Sequence, residues 1–404
     1  MSGATMTLGQ TEARQPDASS VGKAESRSPL NFSRRIPELD GLRGVAIGMI
    51  VFLHCVSIAI VARPPQLLGY VYATTQLFWS GVDLFFVLSG FLIGGILLDA
   101  RDSPNYFKTF YIRRFCRILP IYLLFIGLVA LAYRFVYRPV GAPLDWLFAN
   151  RLPWYSYLSF AQNLWMSKHT ELTARALVIT WSLAIEEQFY LVLPIIIRLV
   201  RRPVLPFVFI AGIVIAPIAR LFVFHYFPAH PWAGYLLLPC RVDSLFLGTL
   251  CAYSLRNQGV SDRLVQRRTS LRMMFFVLLA GMALLTTASN PPALLMMAVG
   301  YSWIAFFYAT ALILALTDTQ SLLSRALRWR WLGGLGVIAY SVYLFHATIY
   351  GLSLWLFTRH GLILATWKDL GATLLAVAMT IALGKLSWRY FEKPIVRWGH
   401  TWQY

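Results

Sequence analysis

Long apolar runs, separated by short polar and often basic stretches, set the pattern of the chain. Ten of them are long enough to cross a hydrocarbon layer of about 30 Å as helices of about twenty residues. They fall at residues 42–62, 77–98, 118–136, 176–197, 204–224, 235–255, 273–288, 293–316, 334–357 and 370–388. The short alternating segments of a transmembrane β-barrel are missing from this pattern. It predicts an all-α fold, a polytopic integral membrane helical bundle of about ten transmembrane helices. The run at 273–288 is short, and 235–255 carries Arg241 and Asp243 inside it. Residues 1–34 are polar, hold no apolar run and read as a disordered N-terminal tail. The first apolar run is too long for a cleaved signal. The expected organisation is this tail, a membrane domain over 35–392 and a C-terminal tail over 393–404.

Composition agrees with the pattern. Of 404 residues, 58% are hydrophobic and only 13% are charged. One soluble core cannot bury that much apolar surface, so a soluble enzyme and a secreted disulfide scaffold are excluded. The net charge of +19 would suggest nucleic acid in a soluble protein. Here most Lys and Arg lie in the segments on one side of the predicted spans, as the positive-inside rule requires, and they meet anionic lipid headgroups. The partner this implies is the lipid bilayer and not nucleic acid, with both termini in the cytoplasm. The outer loop at 137–175 breaks the trend, but it is long, and long loops follow the rule poorly. Cys55, Cys116, Cys240 and Cys251 offer no outer-face pair, so packing roles and no disulfide are expected.

Charged and polar groups inside the runs carry the candidate chemistry. A charge at the centre of the hydrocarbon costs roughly 2.5–3.5 kcal/mol on the insertion scale, so it needs a partner or a task. The spans hold His54, Asp83, Glu186, Glu187, Arg241, Asp243 and His346. Counting about 1.5 Å per residue puts His54, Glu186 and His346 near mid-depth, with Asp83 and Asp243 somewhat nearer the outside. A shared polar cavity in mid-membrane is the expectation. Asp83 and the Arg241/Asp243 pair read as structural ion pairs, and His346 as a secondary polar group.

Arg43 and His54 are separated by eleven helical steps, close to three full turns, and so share one helix face. A cation at the inner mouth and an imidazole deeper in the same groove suit an anionic ligand entering from the cytoplasm. The same spacing also fits a snorkelling Arg and a buried, hydrogen-bonded His. The segment RDSPNYFKTFYIRRFCRILP (101–120) sets Arg113, Arg114 and Arg117 at helical spacings, where guanidinium forks can bind phosphates or simply anchor lipid. Glu186 and Glu187 stand adjacent in TWSLAIEEQFYLVLP (180–194). Gly81, Gly90, Gly94 and Gly95 suit close helix packing. No HExxH, P-loop or GxSxG motif is present, and no metal is implied.

Taken together, PELDGLRGVAIGMIVFLHC (37–55), GVDLFFVLSGFLIGGIL (81–97), FYIRRFCRILPIY (110–122), TWSLAIEEQFYLVLP (180–194), RVDSLFLG (241–248) and AYSVYLFHATI (339–349) resemble acyltransferase family 3, the membrane-bound acyl-CoA-dependent O-acyltransferases. The segments run through nearly all of the hydrophobic chain in the family's order. The resemblance implies transfer of an acyl group, commonly acetyl, from acyl-CoA as co-substrate to a hydroxyl of a carbohydrate or glycolipid acceptor, at a bacterial cytoplasmic (inner) membrane. The family's Arg-x10-His motif falls on Arg43 and His54, and its Arg-x-x-Arg motif on Arg114 and Arg117. Glu186 and Glu187 occupy its WSL-x-x-E-E segment. The family's other form carries an added extracytoplasmic domain, and this chain, ending soon after the last span, resembles the stand-alone form.

The expected mechanism has acyl-CoA phosphates held by Arg43, Arg113, Arg114 and Arg117. His54 acts as general base or acyl relay, with Glu186 or Glu187 orienting its ring. No bound cofactor is implied beyond the thioester. The alternative is a proton-coupled secondary transporter of a saccharide or small anion, which intramembrane carboxylates and His also fit.

Overall fold

The computed structural model describes residues 35–59, 66–135, 145–148, 152–168, 175–286, 291–358, 364 and 366–404. The segment 1–34, read above as a tail, lies outside these residues. All regular structure among the described residues is helical. The principal helices are α1 (Pro37–Phe52), α2 (Gly81–Asp99), α3 (Tyr106–Phe135), α4 (Thr180–Leu199), α5 (Leu205–Tyr226) and α6 (Leu238–Arg256). They are followed by α7 (Arg268–Leu285), α8 (Tyr301–Thr317), α9 (Arg330–Val337), α10 (Ala339–Thr358), α11 (Trp367–Ser387) and α12 (Lys393–Gly399). Among the described residues, nine helical stretches are long and apolar enough to cross a membrane, and α9 with α10, bent by 78°, makes a tenth. The polytopic helical bundle expected from the apolar runs is present, and the chain is an integral membrane protein.

The first span is displaced from its expected place. It covers Pro37–Ser57 instead of 42–62, and residues 60–62 lie outside the described residues. The apolar run alone missed the start because the first turn is acidic. Pro37 opens the helix, and Glu38 and Asp40 sit where the helix dipole favours carboxylates. Both are buried and matched. Glu38 accepts from Ser324 and from Arg328 at 3.1 Å each, and Asp40 accepts from Arg35 at 2.6 Å and Arg43 at 3.1 Å. His54 therefore falls in a π-helical turn (Leu53–Ser57) at the end of its span, not midway along it.

Two crossings hold the centre. α2 and α6 approach so closely that a Cβ at Gly90 would overlap the Leu245 carbonyl, and one at Gly248 would overlap that of Val87. Small residues permit backbone contact of this kind where apolar burial drives nothing in lipid. α9 lies against the first half of α1 in the same manner, with Gly336 on the Asp40 carbonyl. The basic segment 101–120 is not a separate element but largely the first turns of α3. Residues 393–404 form α12 and a short extension packed on that same end of α3. There Thr109 donates to the Gln403 carbonyl at 2.7 Å, and Lys108 and Arg113 stack on Trp402 and Tyr404. The four cysteines are buried in packing positions.

Candidate active site

The polar groups expected to share one layer separate into three clusters. The first lines a cavity of about 150 Å³ between α1, α2, α3, α4 and α10. Arg43 enters from α1, Arg114 and Arg117 from α3, Glu186 and Tyr190 from α4, Ser89 from α2, and Tyr340 and Tyr343 from α10. Arg43 also borders a second cavity of about 250 Å³, which holds Arg35, Asp40, Asp99 and Arg256 at the basic end of the bundle. The two cavities therefore meet at one guanidinium.

The cations of the first cavity are matched unequally. Arg43 holds Asp40 at 3.1 Å. Arg117 lies 3.8 Å from Glu392 and stacks on Trp388, while Glu392 itself accepts from Ser341 and Ser387. Among the described residues Arg114 has no hydrogen bond or ion pair, although it lines the cavity. Arg113 points elsewhere. Its Nε and Nη2 donate to the Trp402 carbonyl at 3.1 and 2.6 Å, and it does not line the cavity. The helical periodicity explains the division: Arg114 and Arg117 are one turn apart on the inner face, and Arg113 is turned about 100° away. Close to these cations, outside the spans, His400 is held below the usual imidazole range by burial and by Arg113, Arg114 and Arg117.

Glu186 faces the cavity and accepts from Tyr190 at 2.8 Å and Ser89 at 3.4 Å, while Ser89 and Tyr190 are hydrogen-bonded to each other. Glu187 does not line it, and its Oε1 is buried with no hydrogen-bond partner among the described residues. Neither carboxylate is among the described hydrogen-bond partners of His54.

The second cluster is an imidazole pair. His54 Nδ1 lies 3.3 Å from His346 Nε2 and 2.9 Å from the Ile50 carbonyl. The rings meet edge to face with centroids 4.9 Å apart. His346 is fully buried, and its Nδ1 lies 2.7 Å from the Tyr343 carbonyl. Tyr343 joins this pair to the cavity: it lines the cavity, packs on His346, and its hydroxyl bonds Ser182 and the Ile179 carbonyl.

The third cluster is the ion-pair layer, and it corrects the expected pairing. Arg241 pairs with Asp83 at 2.5 Å and stacks on Tyr301, while Asp243 pairs with Arg220 at 2.9 Å. Successive α-helical residues point about 100° apart, so Arg241 and Asp243 cannot face each other across one intervening position. All four side chains are wholly buried. Arg220 also donates to the carbonyls of Cys240 and Met297 and to Ser302.

Residues 36–388 match the family model described as an acyltransferase domain, in acyltransferase family 3. The chain belongs to this family. It is 26% identical over 383 residues to the peptidoglycan O-acetyltransferase OatA of Listeria monocytogenes, covering 91% of this chain and 57% of that protein. It is 27% identical over 385 residues to the putative peptidoglycan O-acetyltransferase YrhL of Bacillus subtilis, covering 90% and 55%. The O-acetyltransferase OatA of Staphylococcus aureus is 24% identical over 383 residues, covering 91% and 58%. The chain thus spans just over half the length of these curated relatives. No solved structure matches it.

The family match takes in all three clusters. Sequence reasoning missed Arg220, although a lone Arg in the apolar run 204–224 was a signal of the same kind as Arg241. It also missed the hydroxyl lining of Ser89, Ser182, Tyr190, Tyr340 and Tyr343, for which uncharged residues in apolar helices give no signal. The contact of His54 with His346 spans 292 positions and has no local signature.

Proposed function

We propose that this chain is a membrane-bound O-acyltransferase that moves an acetyl group from acetyl-CoA to a hydroxyl of a carbohydrate acceptor. The saccharide of peptidoglycan, on which the relatives are named as acting, is the first candidate. The observation that carries the reading is Arg114, a cation without a partner among the described residues, in a cavity shared with Arg43 and Arg117. A guanidinium cluster with spare donors is built for an anion, and coenzyme A brings phosphates. The positive-inside distribution supports a cytoplasmic position for this end, the side on which acyl-CoA is made.

His54 lies eleven residues beyond Arg43, about 16 Å of helical rise. An extended pantetheine arm has a comparable reach, so phosphates at the arginines bring the thioester toward the imidazole. In the transfer, the acceptor oxygen attacks the thioester carbonyl and its proton passes to the His54 ring. The tetrahedral intermediate then collapses, the carbon–sulfur bond breaks, and the thiolate leaves as the thiol with that proton. Glu186, Tyr190 and Ser89 line the cavity that holds the arginines and hold one another in place.

The test is turnover by the purified full chain in lipid vesicles given labelled acetyl-CoA and a soluble peptidoglycan fragment. Release of free thiol with label on the saccharide is the expected result, with H54A reduced about 100-fold or more. Uptake of label without thioester cleavage would instead make the protein a carrier and overturn the reading.

A further inference from the structure

The cavity that holds the arginines has two unlike ends. Arg43 and Leu92 border both cavities and mark the basic end. From there α2 lines the cavity from Ile93 to Val82, and α4 from Tyr190 to Ser182, about 12–16 Å of helical rise. Past the polar group of Glu186, Tyr190 and Ser89, the far end is lined by Val82, Phe85, Ser182 and Tyr343. Tyr343 is buried there. Its ring meets Phe85 edge to face, with centroids 6.3 Å apart, and also packs on His346. Its hydroxyl is tied at two points. The Ile179 carbonyl only accepts, so the Tyr343 proton goes to it at 2.8 Å. Ser182 Oγ, 2.6 Å away, then donates to the Tyr343 oxygen. Both protons are spent within the protein, and the far end presents a held ring to whatever enters.

We propose that Tyr343 and Phe85 form the floor against which the acyl chain of the donor ends, and that this floor sets the chain length the enzyme accepts. The proposal rests on the reading of this cavity as the acyl-CoA site. Phosphates on the guanidinium groups fix one end of the donor, and the pantetheine arm has a fixed reach. The sulfur therefore stops at a set depth, and only the space between it and the rings is left for the acyl group. A cavity of about 150 Å³ holds little beyond the arm. Acetyl fits, and each further methylene meets an aromatic side chain that is anchored at its hydroxyl or pressed against one that is. The same Tyr343 ring packs on His346, so a short acyl group stops beside the imidazole pair.

The test is thiol release by the purified full chain in lipid vesicles, with a soluble peptidoglycan fragment and acetyl-, propionyl-, butyryl- or hexanoyl-CoA. Wild type should prefer acetyl to butyryl by about tenfold or more in kcat/KM, as expected for methylenes added against a filled pocket. Y343A and F85A each open the floor and should raise the butyryl-to-acetyl ratio about tenfold or more. Y343F keeps the ring and should hold that ratio within about threefold of wild type. I118A widens the same cavity next to Arg117, away from the floor, and should hold it within about threefold as well. An unchanged ratio in F85A would overturn the proposal, and F85A decides alone if Y343A does not fold. A shift in Y343F or I118A as large as that in F85A would overturn it too. The two readings fail separately. No thiol from any of the four donors in wild type removes the acyl-CoA reading and the floor with it, whereas release indifferent to chain length removes only the floor.

Discussion

Arg113 and Arg114 are neighbours in sequence with opposite assignments, and their variants separate binding from architecture. Arg114→Gln should raise KM for acetyl-CoA about tenfold or more, the worth of a lost charge-assisted hydrogen bond, and leave kcat near wild type. Arg113→Gln should leave that KM within about twofold. It should instead lower the thermal midpoint, because it cuts two hydrogen bonds to the Trp402 carbonyl and a stack on Tyr404. Equal KM effects from the two would contradict the division seen in the structure. Residue type and spacing were legible here: Arg43, Arg114 and Arg117 do converge on one cavity. Which of two adjacent arginines turned inward depended on the rotation of α3, and that is set by what packs on it.

At the scale of elements, the α2–α6 crossing depends on missing side chains. Gly248→Leu should prevent that approach and abolish a monodisperse detergent peak, because its Cβ would overlap backbone that cannot move aside. Gly127→Leu, on an exposed position of α3 with nothing within 4 Å of the added Cβ, should purify like wild type. Size-exclusion profiles of the two check this. The existence of these helices follows from apolar run length, and their starts do not. α1 begins five residues before its apolar run because Glu38 and Asp40 find partners on α9's neighbouring segment and at Arg35 and Arg43. Those partners lie up to 290 positions away, and a local pattern cannot reveal them.

For the whole molecule, a buried layer of paired charges stands beside the candidate site. Asp83→Ala leaves Arg241 buried without its carboxylate, and the cost expected is about 3–5 kcal/mol, read as a lower thermal midpoint in detergent. The same loss would follow Asp243→Ala only in part, because Arg220 keeps the carbonyls of Cys240 and Met297 and the Ser302 hydroxyl. A midpoint for D83A equal to that of wild type would remove the structural role. The sidedness of the bundle is open to a direct check. Cysteines placed at Ala229 and Asp262, both exposed and at opposite ends of α6, should react with an impermeant thiol reagent from opposite sides of sealed vesicles. The native cysteines are buried and give a low background.

What the chain's own pattern determined was its solvent and its alphabet of elements. In hydrocarbon every backbone donor needs a partner within its own segment, so an apolar run of sufficient length is a helix wherever it lies. The same argument marked the few polar groups that hydrocarbon would not tolerate without reason. Tertiary structure decided who met whom: Arg241 with Asp83, Asp243 with Arg220, Glu186 with Tyr190 and Ser89, and His54 with His346. Helix rotation and crossing are set by glycine contacts and by mutual burial of charge between segments far apart in the chain. No local periodicity carries that information, and it is these contacts that separate a cavity of guanidinium groups from a pair of imidazoles about 16 Å further along α1.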